Sequence, residues 1–198
     1  MWNRCIISLL LVTVLSVVVP LGQSQLDNGG FENAAVNPGE SFSSLGPDDK
    51  QITGWIVGGN GIDYIGAYWK PSEGSRSIDL SLSDNGTIST RLNTVPGTTY
   101  RLSFDMAGNP DGGPDEKALR VWIDDKYQDF TFNIRGKTRE NMGWVPKTLE
   151  FKATSSATLL KFEGMTNTAW GPAIDNVIVT PPVFVGDSGR MVGGADAI

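Results

Sequence analysis

The chain has 198 residues, with 16 basic and 22 acidic side chains, a formal net charge of −6, one cysteine and no histidine. The acidic balance argues against nucleic acid or an anionic membrane surface as a partner. The missing histidine removes the commonest general base and metal ligand, so a metal site must be built from oxygen, which favours a hard ion such as calcium.

The chain opens with one positive charge, Arg4, followed by the apolar run "CIISLLLVTVLSVVV" from Cys5 to Val19. Pro20 breaks the run, and the small residues Gly22 and Ser24 follow. This is the pattern of a secretory signal peptide over residues 1–24, cleaved between Ser24 and Gln25. The run is short for a membrane span, which needs roughly 17–25 residues. Cleavage would leave 174 residues with 15 basic and 22 acidic side chains, a charge of −7, and no cysteine. The expected product is secreted and extracellular, with no membrane span and no disulfide.

Strand-like runs then recur in chain order, separated by Gly, Pro, Asn and Asp. They are "ITGWIV" (Ile52 to Val57), "RSIDLSL" (Arg76 to Leu82), "GTISTRL" (Gly86 to Leu92) and "TYRLSFDMA" (Thr99 to Ala107). "ALRVWID" (Ala118 to Asp124), "YQDFTFNI", "PKTLEFKA", "ATLLKFEG" and "AIDNVIV" follow. In the fourth run Tyr100, Leu102, Phe104 and Met106 face one way, and Arg101, Ser103 and Asp105 the other. Period-2 alternation with frequent turn signals predicts an all-β antiparallel sandwich. One domain is expected over residues 25–180. The Pro- and Gly-rich stretch 181–198 reads as a flexible tail.

Seven segments, "NGGFE", "ITGWIV", "GIDYIG", "GSRSIDLSL", "GTISTRL", "VPGTTYRLSFDMAGNPDGGP" and "GPAIDNVIV", occur in this order. In them the chain resembles the bacterial choice-of-anchor C domain, itself similar to the plant cell-wall proteins grouped as domain of unknown function 642. The resemblance covers Leu26 to Val179. It implies a two-sheet jelly roll of the galactose-binding-like type, related in shape to many carbohydrate-binding modules. It also implies a structural calcium (Ca2+) where an N-terminal glutamate meets an aspartate of the last strand, here Glu32 and Asp175. The glycines of "NGGFE" would turn carbonyls inward as further ligands, and the ion would clip the chain ends together.

Trp55 lies in a strand-like run and reads as core. Trp122 lies on the opposite face of its strand from Leu119, Val121 and Ile123, and either covers the sheet or meets a ligand. Trp144 stays open between the two readings. Tyr68 and Trp69 fall in the loop "IGAYWKPSEG", and Trp170 falls in "NTAWGP". Loop aromatics offer flat apolar faces to sugar rings, with Asn109 and Asp111 of the loop "GNPDGGPDEK" as hydroxyl partners. The alternative is that these aromatics fold back as lids and that the acidic loop is merely solvated. Asn85 in "NGT" is an N-glycosylation acceptor if the chain passes through a eukaryotic secretory pathway.

No nucleophile elbow, phosphate-binding loop or zinc signature is present in the sequence, and Ser75 and Ser77 have no histidine to activate them. The favoured function is a non-catalytic carbohydrate-binding module acting on a neutral or uronate-bearing polysaccharide of a cell wall or matrix. The alternatives are an adhesion domain contacting proteins and, third, a hydrolase using two carboxylates. The leader predicts a secreted product beginning at Gln25. Intact-mass analysis of exported protein checks this, and a product retaining Met1 would contradict it.

Overall fold

The computed structural model describes residues 24–181, so the leader and tail readings lie outside it except at Ser24 and Pro181. Every regular element among the described residues is a strand. β1 (Phe42–Leu45), β3 (Ile62–Ile65), β4 (Ser77–Asp79), β11 (Pro172–Thr180), β6 (Thr99–Gly108) and β9 (Val145–Lys152) form a six-stranded antiparallel sheet in that spatial order. β2 (Ile56–Gly59), β5 (Gly86–Asn93), β10 (Ala157–Gly164), β7 (Glu116–Ile123) and β8 (Lys126–Asn133) form a five-stranded sheet facing it. The expected two-sheet antiparallel sandwich is what the chain adopts.

The alternation in β6 sets the core as read. Tyr100, Leu102, Phe104 and Met106 are buried between the sheets, and Phe104 meets Phe162 of β10 edge-on with centroids 5.2 Å apart. Two strands escape the period-2 reading. β1 is short with a polar centre, and β3 buries three of its four residues, which masks the alternation. The run from Ile52 is only partly a strand. Ile52 to Trp55 form a turn in which Trp55 N–H donates to Ile52 O at 3.0 Å, and the strand starts at Ile56. Trp55 is buried as core.

The "NGGFE" segment seats the N-terminus against β11. Gly29 O accepts the Val177 N–H at 2.9 Å, and Gln25 N–H donates to Val179 O at 2.7 Å. A Cβ on Gly29 would stand 1.8 Å from Val177 O, so only glycine allows this approach. The neighbouring carbonyls are taken by core aromatics. Trp55 Nε1–H donates to Asn28 O at 2.8 Å, and Tyr64 O–H donates to Phe31 O at 2.7 Å.

Residues directly opposite each other on paired strands share a face. The register sets Asp63 against Asp79 and Asp175 against Asp105. Their neighbours in sequence, Tyr64, Ile78, Ile174 and Phe104, belong to the core. All four aspartates therefore lie on the outer face of the six-stranded sheet, where the segment 66–76 crosses.

Gly29→Ala is expected to cost about 3 kcal/mol of stability, at the upper end for a residue forced into packed backbone. Gly46, with nothing within 4 Å of an added Cβ, should tolerate alanine within about 0.5 kcal/mol. Urea unfolding of the two variants checks the contrast.

Candidate functional site

The segment 66–76 is held over the outer face largely by carboxylates. Asp175 Oδ2 accepts the N–H groups of Ser72 at 2.8 Å and Glu73 at 2.9 Å, and Asp105 Oδ2 accepts the Ser72 hydroxyl at 2.5 Å. Glu32 Oε1 accepts Ser75 N–H at 2.7 Å and Arg76 N–H at 2.9 Å, while its Oε2 takes the Ser75 hydroxyl. Trp144, whose role the sequence leaves open, donates its indole N–H to Lys70 O at 3.0 Å. Asp175 is fully buried, and burial pushes its pKa up to about 7 against the pull of its three N–H donors.

This arrangement does not fit the calcium clip expected at Glu32 and Asp175. The remaining oxygen, Asp175 Oδ1, accepts Asn176 N–H at 2.7 Å, so all four oxygens of the two groups already receive hydrogens. A cation would have to compete with those donors for the oxygens' lone pairs. Among the described residues no group of three or more acidic, cysteine or histidine side chains is placed to share an ion. The glycines that were expected to turn carbonyls toward the ion instead bring the chain against β11.

With the segment in place, Tyr68, Trp69, Asn109 and Trp170 come together around one groove of about 240 Å³ on this face. Phe42 and Asp63 also line it. The four do not play equal parts. Trp170 is 42% exposed and Phe42 40%, so each presents an apolar surface. Trp69 is 2% exposed and its indole N–H donates to Ser77 Oγ at 2.8 Å. It makes the floor and has no free face for stacking, because the loop that carries it folds down onto the sheet. Tyr68 is half-buried. Phe42 meets its ring edge-on at 5.1 Å, and the Arg139 guanidinium lies 3.9 Å from its centroid.

The two expected hydroxyl partners are committed to the protein. Asn109 donates from Nδ2 to Asp79 Oδ2 at 2.8 Å and accepts Asp111 N–H at 3.0 Å. Asp111 lies outside the groove, accepting the Tyr68 hydroxyl at 2.7 Å and the Arg139 Nε–H at 3.0 Å. Both position the groove wall. The acceptor that the sequence reading missed is Asp63, whose Oδ1 takes the Ser44 hydroxyl at 2.7 Å while Oδ2 has no donor among the described residues. Nothing in the sequence singled it out, because three of the four residues of "IDYI" are buried and the alternation is masked.

Beneath the groove lie two buried titratable side chains that nothing in the sequence marked. Asp79 accepts Asn109 Nδ2–H and Gly171 N–H, and burial pushes its pKa up to about 8. Lys117 is fully buried and donates from Nζ to the carbonyls of Gly112 at 2.6 Å and Trp170 at 2.7 Å; burial pulls its pKa down. This lysine joins the acidic loop to the Trp170 loop. On the far side of the sandwich, Trp122 donates to Glu163 at 2.5 Å and is flanked by Lys161 and Arg120, so it covers the five-stranded sheet. Asn85 exchanges hydrogen bonds with Asn167 through both of its side-chain polar atoms.

The chain belongs to the family described as protein of unknown function (DUF642), whose model matches residues 24–180. It is 32% identical over 160 residues to Halomucin of Haloquadratum walsbyi, an alignment that covers 78% of this chain and 2% of that protein. The chain thus spans a small fraction of that relative's length. Among solved structures it is similar to TmCBM61 in complex with β-1,4-galactotriose, with a TM-score of 0.50 and 16% identity over 81% of this chain and 99% of that one. It is also similar to a family 35 carbohydrate-binding module from Clostridium thermocellum, with a TM-score of 0.47 and 15% identity over 69% of this chain and 97% of that one. The likeness to TmCBM61 shows the jelly-roll fold.

Two predictions follow from the carboxylates. Asp79 and Asp175 bind their protons more tightly when folded than in an unfolded chain, where an aspartate titrates near ~3.9. Their contribution is therefore complete below that value and is lost as pH rises towards 8. The Tm should fall by roughly 3 °C or more between about pH 5.5 and 8.5, and Asp79→Asn should flatten the slope. Calcium followed by excess chelator should leave the Tm unchanged, with metal analysis confirming removal. A calcium-dependent rise that Asp175→Ala abolishes would restore the clip.

Proposed function

We propose that this chain is an exported, non-catalytic module that binds a polysaccharide of a cell wall or extracellular matrix in the groove beside Trp170. The observation that carries the reading is the wall formed by Trp170, Phe42 and Tyr68 over a closed aromatic floor, with Asp63 in the same lining, one of whose oxygens has no donor among the described residues. Aromatic rings in a shallow concave site match the apolar faces of sugar rings, and a few polar groups fix orientation. The wall is built to stay open. Trp170 lies directly on the backbone of Gly112, where an added Cβ would stand 2.2 Å from the indole Cδ2, and Lys117 holds its carbonyl from below. A fold shared with a module solved in complex with a galactan trisaccharide supports the same reading.

Non-catalytic binding is favoured over hydrolysis by the state of the one carboxylate pair in the groove. Asp63 and Asp79 stand side by side on β3 and β4, whereas a glycosidase needs two carboxylates flanking the scissile bond. Asp79, however, is 1% exposed with both oxygens occupied by Asn109 and Gly171, and so does not reach a substrate.

Affinity for a short oligosaccharide should lie in the micromolar to millimolar range, roughly −4 to −8 kcal/mol. Trp170→Ala should weaken binding about tenfold with little change in Tm, because that side chain is half out of the fold. Trp69→Ala should instead unfold or strongly destabilise the protein, by about 3–5 kcal/mol. Affinity electrophoresis and calorimetry against a polysaccharide panel check these outcomes. Failure of the folded protein to bind any glycan would hand the function to protein contact at the cell surface, and sugar release would show hydrolysis.

A further inference from the structure

Resting on the glycan-binding reading, the charge of the groove narrows the ligand class. Its lining contains two aspartates, Asp63 and the buried, proton-holding Asp79, and neither lysine nor arginine. The nearest cations are already engaged. Lys117 is fully buried and directed at two backbone carbonyls, and Arg139 stands behind Tyr68, paired with Asp111 at 2.9 Å. Of the two, Asp79 is closed off by Asn109 and Gly171, whereas Asp63 Oδ2 has no donor among the described residues and lines the groove with the exposed aromatics. The chain as a whole is also acidic, with a net charge of −6.

We infer that the sugar preferred by this groove carries a cationic amino group. A hexosamine unit stacked on Trp170 would present an ammonium that donates to Asp63 Oδ2, a charge-assisted bond of the stronger kind. A uronate brought to the same place would set carboxylate against carboxylate with no basic side chain in the groove lining to bridge them. The uronate-bearing ligand that the sequence left open is therefore disfavoured. A neutral sugar would stack equally well but leave Asp63 without a charged partner.

The test is calorimetry near pH 6 with three oligomers of equal length: β-1,4-linked glucosamine, its fully N-acetylated counterpart, and galacturonate. The glucosamine oligomer should bind about tenfold more tightly than the acetylated one, and galacturonate most weakly. Raising the salt from about 0.05 M to about 0.5 M should shrink the preference without erasing it. Asp63→Asn should bring the first two oligomers to one affinity. Glu150→Gln, which removes the same charge from an exposed position on β9, should keep the preference. Equal wild-type affinity for the free and acetylated amines would overturn the inference, as would a preference that survives Asp63→Asn. If only neutral or acidic oligomers bind, and Trp170→Ala weakens them, the binding module stands and the amine preference falls. If the folded protein binds none of the three, nor any glycan of the broader panel, both fall.

Discussion

Asp175 accepts the backbone N–H groups of Ser72 and Glu73 from the outer face of the six-stranded sheet, and Glu32 accepts those of Ser75 and Arg76. These two carboxylates, one from the start of the domain and one from its last strand, hold the segment 66–76 against the sheet. The groove depends on that hold. Without it Trp69 would leave Ser77, the floor would open, and Tyr68 would lose its place beside Phe42. The two residues that the resemblance would join through an ion instead both accept hydrogen bonds from this one segment.

Burial explains the division of labour on this face. Four aspartates lie on it because the register puts them there, and like charges in facing positions cost free energy unless each is answered. Asp175 and Asp105 are answered by the segment above them, and Asp79 by Asn109 and Gly171. Among the described residues Asp63 receives only a serine hydroxyl, and it lines the groove. Around it the exposed aromatics gather, while on the opposite face of the sandwich Trp122 is already occupied by Glu163 and its cationic neighbours.

The long alternating runs were legible because half-buried strands show their two faces directly. β5, β6, β7 and β10 all keep that pattern. The run at Ile52 read as a strand because apolar residues dominate it, although a turn buries them as effectively. The gathering of loop aromatics at one groove was legible as residue type and loop placement. Which of them is floor and which is wall was not, since Trp69 and Trp170 look alike until the loop's anchors are known. Lys117 was illegible for a similar reason. It sits at a position where "DEKALR" reads as solvated, and only the two carbonyls aimed at it make its burial tolerable.

The central claim is that the Trp170 groove, and no other face, receives a sugar. Nitrogen-resolved NMR of the tryptophan indole N–H signals during titration with an oligosaccharide that binds tests it directly. The account predicts that the Trp170 signal shifts progressively with ligand while those of Trp55 and Trp122 stay fixed. A shift at Trp122 with Trp170 unmoved would place binding on the five-stranded sheet and contradict the account.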